Sequence, residues 1–184
     1  MPDPTPGRWP LLEVLDHGEP ISIAFEDLVR YHGRASVGGL ALGFKAMERG
    51  LPLLDGGQAV ERYAIAVATA FDGPGTRDAF EMVTRAVTGD RYTVAHELAR
   101  PGAPEAPEGH FVFRLTLSGP GLATRAVDLT LRDGLVDDDF NDAIRRGART
   151  PDEQAHVAWL KRDLATRALA LPATKIYDAE RHDR

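Results

Sequence analysis

The segment Tyr63-Ala64-Ile65-Ala66-Val67-Ala68-Thr69-Ala70 limits the fold most tightly, because it is apolar at odd and even positions alike. A run of this kind reads as a β-strand buried on both sides, with helices covering one face. It leads into Asp72-Gly73-Pro74-Gly75-Thr76, a tight turn, and then a helix from about Arg77 to Ala86. Phe80, Val83 and Val87 mark the inner side of that helix.

The neighbouring segments have to supply the cover and the remaining strands. Trp9 to Leu15 is expected to form a short helix ended by Gly18 and Pro20. Phe25, Leu28, Val29 and His32 recur at i, i+3, i+4 and i+7, and Gly33 stops that helix. Ser36 is placed to cap a second helix, with Leu40, Phe44, Met47 and Leu51 at helical spacing. Gly39 and Gly43, one turn apart on it, leave a smooth strip for close backbone approach. Tyr92 to Leu98, His110 to Leu117 and Thr124 to Leu131 alternate as strands do. Residues 101–107, with three prolines, read as a mobile connector, and Ser118-Gly119-Pro120-Gly121 as a hairpin turn. Thr150-Pro151-Asp152-Glu153 is a capping box with proline at the first helical position. Val157, Leu160, Leu164 and Ala168 dock that last helix, which Leu171-Pro172 ends. The expectation is one α+β domain: a mixed or antiparallel sheet packed with N-terminal helices and a C-terminal helix. It would span residues 21–178, between a flexible leader (1–20) and a polar tail (179–184).

Composition removes several functions. A formal charge of −6 argues against a nucleic-acid surface, which needs a concentrated positive field, although Arg145, Arg146 and Arg149 form a local basic group. The absence of cysteine removes disulfides, thiolate catalysis, iron–sulfur clusters and zinc–thiolate sites. The Pro-rich start, Met1 to Pro6, lacks the basic and apolar regions of a signal peptide. No apolar run approaches the roughly 20 residues of a membrane span. The cytoplasm is the expected location, with no membrane and no nucleic-acid partner.

Two segments carry a resemblance. One is His32-Gly33-Arg34-Ala35-Ser36-Val37-Gly38-Gly39-Leu40-Ala41-Leu42-Gly43, a helix end followed by a small-residue helix. The other is Gly75-Thr76-Arg77-Asp78-Ala79-Phe80-Glu81-Met82-Val83-Thr84-Arg85-Ala86. Together with the later strands and Leu171 to Tyr177, these resemble the formylmethanofuran dehydrogenase E-like family over roughly residues 24–178. The resemblance implies a homodimer and a metal site held by His and Cys near both motifs. This chain departs from it: Arg34 stands where a second His is expected, Ser36 at or beside one Cys position, and Gly75 and Ala86 at the other two. Of the polar residues of the motifs, His32 and Asp78 remain.

These departures shape the candidate site. His32 is either a core histidine bonded to a carbonyl or an imidazole facing a ligand or metal. Arg34 either faces solvent or grips a carboxylate or phosphate in bidentate fashion, where it would repel a metal. The N–H groups of the turn at Gly75 and Thr76 suit an anion, with Thr76 as a plain N-cap the alternative. Asp78 either satisfies the helix dipole or pairs with His32. Asp137, Asp138, Asp139 and Asp142 read as an acidic helix start, since they lack the ligand ladder of a calcium loop. His96 and His110 lie on or beside neighbouring strands; His17, His156 and His182 are expected at the surface.

The leading functional expectation is a cytoplasmic small-ligand or cofactor-binding protein of the formylmethanofuran dehydrogenase E-like group with an altered metal site. Its pocket would use His32, Arg34, Ser36, Gly75, Thr76 and Asp78, and its ligand would be a small anionic molecule or cofactor. Two alternatives stand beside it: an enzyme using His32 and Asp78 in acid–base chemistry, and a divalent metal or haem bound through His32.

Overall fold

The computed structural model describes residues 10–147 and 150–183. The chain starts as a hairpin, β1 (Leu12–Asp16) and β2 (Glu19–Ile23), paired antiparallel from Leu12↔Ile23 to Asp16↔Glu19. A strand replaces the helix expected over 9–15 because Leu12 and Val14 are buried while Glu13 is exposed, a period of two. His17 and Gly18 both take positive φ, 53° and 85°, the backbone of a two-residue hairpin turn. Residues 12–20 are therefore not a loose leader. The Leu15 amide donates to the Val60 carbonyl at 2.9 Å, and the Glu61 carboxylate accepts from the amides of His17 and Gly18. Residues 1–9 lie outside the described ones.

Helix α1 (Phe25–His32) begins with the Asp27 carboxylate accepting from the Ala24 amide and ends at Gly33, φ 87°, whose amide donates to Val29. Helix α2 (Val37–Leu54) follows. A 3-10 turn, Arg62–Ala64, leads to β3 (Ile65–Phe71) and then α3 (Pro74–Thr84). The third helix starts at Pro74 rather than near Arg77, because proline is preorganised for the first helical position. It ends at Arg85, in a left-handed conformation.

The strand expected over 92–98 is shorter: β4 (Tyr92–Val94), then a 3-10 turn, His96–Leu98. The connector at 101–107 is tied down. β5 (Glu105–Ala106) pairs with β6 (Gly109–Leu117), and Ala103 is buried. β7 (Arg125–Leu131), α4 (Asp138–Arg146), α5 (Pro151–Ala170) and the one-turn α6 (Ala173–Ile176) come next. The chain closes with β8 (Tyr177–Asp183), which pairs with β7 from Leu131↔Tyr177 to Arg125↔Asp183. The expected polar tail is thus an edge strand; the alternation Tyr177-Asp178-Ala179-Glu180 lets it present an apolar and a polar face.

The architecture is α+β. The main sheet runs β4-β3-β6-β7-β8, with β5 on β6; β3–β4 is parallel and the other pairs antiparallel. Helix α2 lies against the sheet between α3 and α5. Phe44, Ile65, Phe113, Leu129 and Tyr177 meet in this core, and each such side chain contributes roughly 1.5–3 kcal/mol by leaving water. β3 is covered on the helix side, where Ile65 and Val67 are buried; on the other face Ala66 and Ala68 stay partly exposed, while Ala70 is buried against Ala103 and Val112. Its two-sided apolar pattern comes from alanines on a partly open face. Among the described residues no helix is long and apolar enough to cross a membrane.

Candidate functional site

Helices α2 and α3 pack without a side-chain spacer at their N-terminal ends. A Cβ on Gly75 would lie 2.5 Å from the Ser36 carbonyl oxygen, and one on Gly43 2.7 Å from the Ala79 Cβ. Gly39, Gly43 and Gly75 therefore let two helix starts converge, which is the physical use of the smooth strip seen in the sequence. Beside this junction opens a cavity of about 120 Å³. Ser36, Gly39, Gly73 and Gly75 line it on the helix side, and Lys161 and Glu108 are its charged lining residues. Phe71 and Phe111, stacked with centroids 4.1 Å apart, form part of its apolar wall.

The polar pair anticipated from sequence forms one turn farther along α3. His32 Nδ1 lies 2.6 Å from Asp78 Oδ2, with 11 % and 26 % of the two side chains exposed. An ionised carboxylate only accepts, so Nδ1 carries the proton and donates. In the neutral ring Nε2 then holds the free lone pair. It makes no hydrogen bond with a described residue, and it is not sealed from solvent.

The other expected site residues divide. Ser36 occupies the N-cap position of α2, but its hydroxyl makes no capping bond. Its carbonyl accepts from the Leu40 amide instead, which leaves the hydroxyl uncommitted beside the cavity. Gly75 lines the cavity. Thr76 is fully buried inside α3, its hydroxyl donating to the Gly73 carbonyl at 2.8 Å, so it is a structural contact and Gly73 is the N-cap. Arg34 is exposed on the loop between α1 and α2, outside the cavity lining and without an ion-pair partner among the described residues.

The helix starts differ in charge. α1, α4 and α5 each carry two acids in the first turn, and the Asp137 and Thr150 side chains cap α4 and α5. The acidic start of α4 fits the sequence reading. α2 and α3 have neither a first-turn acid nor a side-chain cap. Their first amides and positive dipole ends are left uncompensated at one place.

A second cluster was not legible beforehand. On the sheet face away from the helices, the Asp128 carboxylate is 2 % exposed and accepts from Arg114 Nε at 2.5 Å and Nη2 at 2.7 Å. Arg100 also donates to it and bridges to Glu180 at 2.7 Å, while His182 Nε2 lies 3.2 Å away. Burial pushes the Asp128 carboxyl up, but the Arg114 hydrogen bonds and the charges of Arg114, Arg100 and His182 outweigh it and hold it below the ordinary carboxylate range. His182, expected at the surface, is drawn in because β8 sets residues 178, 180 and 182 on this face. The pairing of β7 with β8 brings these residues together; the only sequence signal was the alternation in 177–182. His110 Nδ1 instead meets the Ala103 carbonyl at 3.2 Å, and His96 is exposed.

The donors present do not fit the metal site that the resemblance implies. Among the described residues, the one group of three His, Asp or Glu donors within coordination reach of each other is Asp128, Glu180 and His182, remote in sequence from His32. A zinc site needs at least three protein ligands, and the Asp78 carboxylate is spent on His32 Nδ1. At Asp128, two guanidinium groups already occupy the carboxylate oxygens, opposing a cation. Nor does a cavity of about 120 Å³ accommodate haem, being well below the roughly 300 Å³ at the small end of ordinary ligand pockets.

No family model matches the chain, and no curated protein matches it. The resemblance to formylmethanofuran dehydrogenase E-like proteins therefore remains a reading of the motifs.

Proposed function

We propose that this chain is a small-ligand-binding protein of the formylmethanofuran dehydrogenase E-like group, taking a molecule with an anionic group at the cavity where α2 and α3 begin. One observation carries the reading: these two helix starts lack both first-turn acids and side-chain caps, and they converge on that cavity. Free backbone amides and aligned dipoles favour negative charge there. The uncommitted Ser36 hydroxyl and Lys161 add a donor and a cation, and exposed Arg34 adds positive field at the approach. The reading keeps the cytoplasmic location expected from the sequence and the homodimer implied by the family resemblance. Titration calorimetry with isobutyrate and with inorganic phosphate tests the anion site. Saturable binding of at least one probe, weakened about tenfold in Lys161→Met, is the expected result. Failure of both to bind, or equal binding to the variant, contradicts it.

A second reading is favoured by the His32–Asp78 pair. A carboxylate that fixes the imidazole tautomer and leaves Nε2 open is the arrangement of a general base. Such a base would exchange the α-proton of a bound carbonyl compound with solvent deuterium, followed by NMR. Exchange that survives His32→Gln would exclude this role.

A further inference from the structure

The cavity's charged lining asks for more than an anion. Its apolar walls come from Leu42, Phe71, Phe111, Phe140, Ile144 and Leu164. Lys161 and Glu108 are both partly buried, and neither has an ion pair or side-chain hydrogen bond with another described residue. They do not pair with each other. Elsewhere the arginines at 100, 114, 125, 132 and 167 all meet carboxylates. Two opposite charges without side-chain partners among the described residues therefore border one small, largely apolar cavity.

We infer that the ligand is a compact zwitterion, an amino acid with a small apolar side chain, held by both of its charges. This rests on the reading of the cavity as a ligand site and names the class of molecule it takes. A plain anion gains Lys161 but meets Glu108; a plain cation gains Glu108 but meets Lys161. A molecule carrying both groups gains from both, because each flexible side chain can keep its stem on the apolar wall and extend its charged end. The carboxylate belongs with Lys161, the Ser36 hydroxyl and the amides of the α2 start; the ammonium belongs with Glu108. The size agrees: a cavity of about 120 Å³ is well below the roughly 300 Å³ at the small end of ordinary ligand pockets, so its ligand has to be compact.

The test uses the unaltered chain and three nearly isosteric probes: L-valine, isovalerate without the ammonium, and isobutylamine without the carboxylate. Calorimetry at neutral pH should give valine an affinity about tenfold or more above either single-charge probe. Glu108→Gln should then lower valine to the level of isovalerate. If isovalerate binds as tightly as valine, the zwitterion inference is overturned while the anion site stands. If isobutylamine binds most tightly, or none of the three binds, the zwitterion inference is overturned, and the anion site falls with it when inorganic phosphate also fails to bind.

Discussion

Asp78 orients His32 across 46 residues of sequence, through a 2.6 Å contact that joins α3 to the last turn of α1. The contact is half-buried, so its removal costs both a charge-assisted hydrogen bond and the order of the α1–α2 loop. Asp78→Ala should lower unfolding free energy by about 1–2 kcal/mol in urea. Long-range proton–nitrogen NMR should show His32 protonated at Nδ1 in the parent chain and a mixture of tautomers in the variant. An unchanged tautomer would mean that Asp78 does not hold the ring.

The α2–α3 junction tolerates no added carbon at two positions. Gly75→Ala directs a methyl to within 2.5 Å of the Ser36 carbonyl, and Gly43→Ala to 2.7 Å from Ala79. Each should destabilise by about 1–3 kcal/mol through overpacking, despite the higher helix propensity of alanine. Gly75→Ala should also weaken ligand binding, whereas Gly43→Ala, a turn deeper on α2 and outside the cavity lining, should affect it less. Chemical denaturation and calorimetry together read both effects.

Asp128 stabilises the outer face of the sheet through two arginines. Asp128→Asn leaves Arg114 and Arg100 facing a neutral group and should cost about 2–3 kcal/mol, less than a fully buried pair because both arginines are partly exposed. Glu180→Gln, at an exposed carboxylate, should cost well under 1 kcal/mol. Equal effects in urea unfolding would contradict this division.

Acid should unfold the chain through carboxyls held below their ordinary range. For Glu81, burial raises the carboxyl. Hydrogen bonds from the Thr88 hydroxyl and from the Thr88 and Val87 amides, with the Arg85 charge, more than reverse this. The folded state then binds its proton less readily than the unfolded state, so this stabilisation is complete above about pH 5 and is lost as pH falls through the folded value. Stability measured from pH 6 to pH 3 should fall, and Glu81→Gln should flatten part of that slope while lowering stability near neutrality.

Local chemistry made much of the fold legible. The spacing of Phe25, Leu28 and His32 and the stop at Gly33 located α1; the Thr150 capping box located the start of α5. β1 and β8 were missed for opposite reasons. β1 depends on a His17-Gly18 turn whose positive φ values do not show in an apolar pattern, and β8 has its register imposed by β7. At the site, the His32–Asp78 pair was readable because each residue sits on a recognisable helix. Lys161 and Glu108 were not, since they reach the cavity from α5 and the β5–β6 turn through tertiary packing. The Thr76 hydroxyl turns back to the Gly73 carbonyl inside the helix, a contact that its position in the sequence did not show.

The most direct test of the cavity between the starts of α2 and α3 is an amide NMR titration with isovalerate and L-valine at constant ionic strength. Saturable shifts centred on Ser36, Gly39 and Gly75, with valine saturating first, are the predicted result. Saturable shifts centred elsewhere, or shifts that grow linearly across the surface without saturating, would contradict it.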